Sequence, residues 1–229
     1  MITSASNPRL RLVRRLGSAS QRRRLGLFVA EGEDLVQAGL DAGLEPLDVL
    51  TAGVDVEPEL LAGVSELPHP PRVVAVFRRE DIARRENRSH GVALWQVSDP
   101  GNVGTLIRTA DAFGAFVGLS SGCADPTSSK ALRASAGAIF RVPLIAFDDA
   151  PAPRVALVAD GGNSLEAIDL PERVTFVVGA ERTGLAPDVL ATCMTAATIP
   201  MVAGAESLNV AIAGAVALYE HARRHRLRS

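Results

Sequence analysis

A chain of 229 residues with 47% hydrophobic side chains and a formal net charge of −2 suits one medium domain or two small ones around a sizeable core. No apolar run reaches the roughly 18 residues of a spanning helix without Gly and Ala interruptions, and the Arg-rich N-terminus lacks the apolar stretch of a secretory signal. Cys123 and Cys193 have neither a CxxC nor a metal-ligand spacing, so the composition points to a cytoplasmic protein with reduced thiols.

The small net charge hides an asymmetry. Residues 1–30 carry Arg9, Arg11, Arg14, Arg15, Arg22, Arg23 and Arg24, with no acidic residue before Glu31. A segment skewed in this way points to a polyanion such as RNA, although a solvated helix face gives the same composition. Asn7-Pro8 reads as a helix start, with Leu10, Val13 and Leu16 on one face and Gly17 as the stop. Residues 25–30 then predict a strand, 31–42 a helix, and 47–50 and 73–77 two short strands around a Pro-rich loop. This alternation predicts a small α/β domain over residues 1–85. The polar run 78–90 reads as a linker.

After this run the pattern changes to that of a parallel sheet. Residues 91–97 form a continuous apolar run, as in a strand covered on both faces. A helix is predicted over 103–113, a strand over 115–119, a helix over 128–138 and a strand over 141–146. Further strands are predicted over 155–159, 174–178 and 196–199. The chain ends in a helix opened near Ser207, so rich in small and aliphatic residues over 207–222 that burial on nearly every side is expected.

Three loops stand at the C-terminal ends of these strands, where open α/β sheets bind ligands. The first, Asp99-Pro-Gly-Asn102 with Gly104 and Arg108, bares backbone N–H groups that suit an anionic group, or is a plain turn with Asn102 as helix cap. The second, Gly179-Ala-Glu-Arg-Thr-Gly184, sets Glu181 over the sheet edge, or pairs it with Arg182. The third sets Ser207 and Asn209 at a helix mouth, where Ser207 is equally a simple cap.

In order, spacing and composition the three loops resemble the signature motifs of the SpoU/TrmH family of RNA 2′-O-ribose methyltransferases, within the SPOUT class. Asp99-Pro-x-Asn-x-Gly-x-x-x-Arg108 running on to Gly114 is similar to the first motif, Gly179-x-Glu-x-x-Gly184 to the second, and Ile199-Pro-Met201 with Ser207-Leu-Asn209 to the third. The segment after Ser129 looks like the family too, and the likeness spans about residues 91–222. The part before it is similar, less specifically, to a ribosomal-protein-like substrate-binding domain. The resemblance implies an α/β SPOUT domain over 86–229 threaded into a trefoil knot, a homodimer with its active site at the subunit interface, and S-adenosylmethionine as cofactor. It assigns Ala159, Gly179, Ile199, Met201 and Leu208 to the cofactor pocket, and Asn102, Arg108, Glu181, Ser207 and Asn209 to the polar active site. Glu181 and Asn209 would hold Arg108 and Asn102 in place. The family's usual base would be Arg108. A guanidinium gives up its proton far less readily than an ordinary base would need, so a phosphate clamp is physically easier.

The implied substrate is structured RNA, ribosomal rather than transfer RNA, its backbone held by Arg22, Arg23 and Arg24 with help from Arg84, Arg85 and Arg88. A catalytically silent RNA-binding protein of the same fold is the main rival. A Rossmann nucleotide enzyme is disfavoured because G-x-G-x-x-G is missing after the first strand. His69, His90, His221 and His225 do not suggest a metal: Arg223, Arg224 and Arg226 surround the last pair.

Overall fold

The structure, a computed structural model, describes residues 1–67, 69–82 and 88–226. Arg84, Arg85 and the expected domain boundary lie outside these residues.

The N-terminal part opens with α1 (Pro8–Leu16), capped by Asn7, whose side chain accepts from the Arg9 N–H; it buries Leu10, Val13 and Leu16 as their spacing predicts. The segment after it, expected to be a connection, is a second helix, α2 (Ala19–Leu25), closed by Gly26 in the left-handed region at φ 66°. Its sequence, ASQRRRL, has no apolar stripe, so nothing in its periodicity marks a helix. Then follow β1 (Leu27–Glu31), α3 (Glu33–Asp41), β2 (Asp48–Thr51), α4 (Pro58–Ala62) and β3 (Val73–Arg78). The three strands form an antiparallel sheet in the order β1-β3-β2.

The second part alternates β4 (His90–Leu94), α5 (Pro100–Ala112), β5 (Phe116–Leu119), α6 (Ser129–Ser135), β6 (Leu144–Ala146) and β7 (Arg154–Leu157). A two-residue β8 (Asn163–Ser164), β9 (Val174–Val178), α7 (Pro187–Ala191), β10 (Thr195–Thr198) and α8 (Val210–Arg226) complete it. Its seven strands lie in the order β6-β5-β4-β9-β7-β10-β8, and every pairing is parallel. All five residues of β9 are buried, and four of them are apolar; the fifth, Thr175, donates its hydroxyl to the Pro151 carbonyl at 2.7 Å. Helices α5 and α6 approach closely because Gly104 has no side chain: a Cβ there would stand 2.4 Å from the Ala131 carbonyl oxygen.

The two parts share a core. Phe28 and Phe77 of the first sheet meet Phe140 of the second part, with ring centroids 5.8–6.2 Å apart. The ion pair between Arg22 and Asp125, at 2.8 Å and nearly out of solvent, joins α2 to the segment after β5. Arg22 is therefore not an exposed phosphate contact: it is 5% exposed, and its Nη1 donates to the carbonyls of Leu16 and Gly17. Arg23 and Arg24 are exposed. Arg88 donates to the carbonyls of Ala115 and Arg141.

Helix α8 departs from expectation at both its start and its surface. It begins at Val210, and its cap is Asn209 rather than Ser207: Asn209 Oδ1 accepts from the N–H groups of Ala211 and Ile212. One flank stays open, with Ile212 50% and Tyr219 57% exposed. The far end is clasped by the segment between β8 and β9. Arg224 donates to the carbonyls of Leu165 and Ile168, while His221 and His225 face those of Glu172 and Leu170. The rings of His90, His221 and His225 stack at 4.4 Å in a row. Among the described residues no His, Cys, Asp and Glu cluster could hold a metal, and no helix is long and apolar enough to cross a membrane.

Candidate active site

The site lies at the C-terminal ends of β4, β9 and β10. Helix α5 begins three residues earlier than expected, because its cap is Asp99 and not Asn102: Asp99 Oδ1 accepts from the N–H groups of Gly101 (2.6 Å) and Asn102 (3.1 Å). The other carboxylate oxygen of Asp99 takes Lys130 Nζ at 2.8 Å. The ammonium holds the Asp99 carboxyl below its ordinary range, overcoming partial burial. Capped this way, the first turn of α5 leaves the Asn102 side chain free to turn toward the other two loops.

Those loops meet it. Asn102 Nδ2 donates to Glu181 Oε1 at 3.0 Å, and Asn209 Nδ2 donates to Asn102 Oδ1 at 3.1 Å. The amide orientations follow from one another. Asn209 Oδ1 is committed to two backbone N–H groups, so Nδ2 must face Asn102, and the donor end of Asn102 must face the carboxylate. Burial pushes the Glu181 carboxyl up. The Asn102 amide and the backbone N–H groups of Glu181, Asp99 and Ser98 outweigh it and hold it below the usual carboxylate range. Glu181 is therefore an anion at neutral pH.

Glu181 is presented by a tight loop. The Ala180 and Gly184 backbones exchange hydrogen bonds of 2.9 and 3.1 Å, and Gly184 turns at φ 65°. Gly179 fits because it has no Cβ, which would lie 2.3 Å from the Gly184 carbonyl carbon.

Two hollows open on either side of this cluster. One, of about 410 Å³, is walled by Ala159, Gly179, Ile199, Met201 and Leu208, with Glu181, Ser207 and Asn209 at its polar end. Its size and mostly apolar walls suit a small organic ligand with a polar or cationic part. The other, of about 440 Å³, is lined by Ser98, Asp99, Asn102, Ala180, Arg182 and the same Glu181 and Asn209. All five candidate cofactor residues thus line one hollow, and four of the five polar candidates line one or both.

Arg108 is the exception. It is exposed on α5, lines neither hollow, and makes no hydrogen bond or ion pair with a described residue. Six residues along a helix from Asn102, it stands about 120° around the axis. Glu181 and Asn209 both serve Asn102, and neither holds Arg108. Arg182 borders both hollows and is a candidate that sequence reasoning used only as a foil. The alternative Glu181–Arg182 ion pair does not form; Glu181 bonds to Asn102 instead. Ser98 and Val158 were also missed, since neither stands inside a motif.

Comparison with known proteins identifies the family. The model of the SpoU rRNA methylase family matches residues 89–219, more than half of the chain. The chain is 31% identical to an uncharacterized tRNA/rRNA methyltransferase of Synechocystis sp., over 97% of this chain and 93% of that one. It is 29% identical to the 23S rRNA (guanosine(2553)-2′-O)-methyltransferase RlmP of Bacillus subtilis, over 95% of this chain and 97% of that one. Its fold matches the AdoMet-bound rRNA methyltransferase of Sinorhizobium meliloti with a TM-score of 0.85 and 31% identity, covering 98% of this chain and 97% of that one. The chain belongs to the SpoU rRNA methylase family.

Proposed function

We propose that the protein is an S-adenosylmethionine-dependent methyltransferase that modifies a ribose 2′-hydroxyl in ribosomal RNA. The observation that carries this reading is the pair of hollows sharing the Glu181–Asn209 rim: one apolar, the other polar and continuous with the first turn of α5. The full-length relative from B. subtilis acts on 23S rRNA, which favours ribosomal over transfer RNA. When bound, S-adenosylmethionine supplies a methyl group on a cationic sulfur, and the donor set fits it: apolar walls from Ile199, Met201 and Leu208, and one anion, Glu181. The protein's part is orientation and charge. The walls exclude water, and the carboxylate of Glu181 lowers the cost of bringing a cation into the site. Asn102, held at both ends of its amide, is a fixed wall against which a ribose hydroxyl is set.

Arg108 enters this scheme from a second subunit. We read the chain as a homodimer in which α5 and the open flank of α8, with Ile212 and Tyr219 exposed, face a second copy. Arg108 would then clamp a phosphate beside the partner's site with its planar fork of N–H donors. The clasp of residues 165–172 around α8 supports a threaded, knotted path for the chain after β10. The N-terminal part, with exposed Arg23 and Arg24, is read as a ribosomal-protein-like RNA-binding domain over about residues 1–85, preceding the catalytic domain over 86–229, and the enzyme as cytoplasmic. Mass-spectrometric mapping of ribose methylation, in cells with and without the gene, tests the function. One 2′-O-methyl group in large-subunit rRNA that vanishes with the gene is the expected result. An unchanged rRNA map would refute it.

A further inference from the structure

The buried arginine of α2 does more than brace the fold, because it determines where its neighbour stands. Arg22 points inward to Asp125. Asp125 is also gripped by Arg79 at 3.1 Å and by the hydroxyl of Thr127 at 2.7 Å, so α2, the end of β3 and the segment after β5 are locked together. Arg23, next on the helix, is exposed and makes no hydrogen bond or ion pair with a described residue. Between these locked elements a recess of about 340 Å³ opens. Leu119, Leu144 and Ile145 form apolar parts of its lining, and Arg23, Arg79 and Ser120 polar ones. A second hollow of about 570 Å³ continues past Arg23 and Arg79 to Arg78. Arg23 and Arg79 line both hollows, and Arg78, 3.9 Å from Asp81, lines the second beside Glu80, so three arginines border two adjacent hollows, one of them with an apolar recess.

This recess lies on the same edge of the parallel sheet as the Asn102 cluster. Ser120 follows β5 and takes the Gln96 N–H at 2.8 Å from the loop that leads to Asp99. Lys130, five residues past Asp125, is the residue paired with Asp99. A strand of RNA lying along this edge passes from one place to the other without leaving the protein surface.

We propose that the junction recess is a second RNA subsite, which takes one unstacked nucleobase against its apolar lining while Arg23 and Arg78 hold the flanking phosphates. The proposal rests on the reading of the protein as an RNA methyltransferase. RNA is recognised by sequence chiefly through single-stranded bases splayed out and packed on aromatic or guanidinium planes, with phosphate contacts fixing the register. Arg79 offers such a plane already immobilised by Asp125 and Thr127, so little ordering is lost when a base settles on it.

Cys123 lines this recess and serves as a reporter. In a Cys193→Ser background, which leaves Cys123 as the only thiol, labelling by N-ethylmaleimide is timed with and without an unmodified large-subunit rRNA transcript. The RNA is expected to slow labelling at least several-fold, and S-adenosylmethionine alone to leave it unchanged. Independently of labelling, Arg23→Gln should weaken binding of the transcript several-fold and reduce its log–log salt slope by about one, since one phosphate contact is lost. Its affinity for S-adenosylmethionine should not change. If the wild-type enzyme methylates the transcript while Arg23→Gln keeps the full salt slope, or while bound RNA leaves labelling as fast as before, the subsite is refuted and the methyltransferase reading stands. If the wild-type protein neither binds nor methylates RNA, both fall.

Discussion

Asn209 performs two tasks with the two ends of one amide, and substitutions can separate them. Its oxygen caps α8, and its nitrogen holds Asn102 against Glu181. Asn209→Ala removes both. Losing a cap costs about 1 kcal/mol, which in a protein of this size lowers Tm by about 2–4 °C. Asn209→Asp keeps an oxygen for the cap and adds a negative charge at a helix N-terminus, a change that contributes about 0.3–1 kcal/mol in favour of folding. Its melting temperature should stay above that of Asn209→Ala, because the cap is kept. The same substitution removes the donor, so a carboxylate oxygen then faces Asn102 Oδ1. Turning the Asn102 amide over to satisfy it would set Oδ1 against the Glu181 carboxylate. Either way one acceptor is left facing another. A lost hydrogen bond of this kind, with its misplaced partner, is worth about 1–2 kcal/mol, or a fall of about 5- to 30-fold in kcat/KM. Thermal melts and methyl transfer from radiolabelled S-adenosylmethionine to an rRNA transcript measure the two effects. A fully active Asn209→Asp enzyme, or one that melts as low as Asn209→Ala, would refute this division of labour.

Three further outcomes follow from the geometry. Arg22→Met strands the Asp125 carboxylate in the junction and should cost about 3 kcal/mol in urea unfolding, near the low end for a broken buried pair because Arg79 and Thr127 remain; adding Asp125→Asn should restore part of it. His221 is held by burial and by the neighbouring His90 and His225 rings at a pKa of about 4, below its ordinary 6.5, so the unfolded chain binds its proton first and stability should fall as pH drops from about 6.5 to 4. Replacing His221 by Phe should flatten that part of the pH–stability curve. If Arg108 serves the partner's site, mixing inactive Arg108→Ala and Asn102→Ala proteins, with subunit exchange allowed, should recover about a quarter of the activity per dimer, in the statistical limit of one intact site in each mixed dimer. No recovery would place Arg108 in its own subunit's site or in none.

The catalytic half of the fold was legible because burial on both faces writes itself into the sequence. β9 is buried throughout and apolar but for Thr175, β4 is nearly as apolar, and both match the predicted strands within a few residues. The N-terminal half gave up its strands and first helix but hid α2, whose three arginines look alike in sequence and have different fates. One is buried on Asp125, more than a hundred residues away. Neither periodicity nor charge counting can see a partner that distant, which is why Arg22 was grouped with Arg23 and Arg24 as an RNA contact. The caps were misplaced for a local reason. Asp99 and Asn102, like Ser207 and Asn209, are all good caps, and sequence alone does not decide which residue of a run takes the helix N–H groups.

That misplacement reaches the site itself. Each motif was recognisable, but the role of each residue depends on which neighbour caps its helix. With Asp99 as the cap of α5, Asn102 is released to face Glu181; with Asn209 as the cap of α8, its amide nitrogen is directed to Asn102 and Ser207 is left at the rim of the hollow. Had Asn102 and Ser207 been the caps, the alternative their residue types allow, their polar atoms would have been spent on their own helices. The same logic isolates Arg108. No cap or loop among the described residues of its own subunit turns toward it, and its exposed place on α5 leaves it open to RNA or to a second copy of the chain. The helix starts therefore decide which polar groups remain free for a substrate and which are consumed in holding the fold.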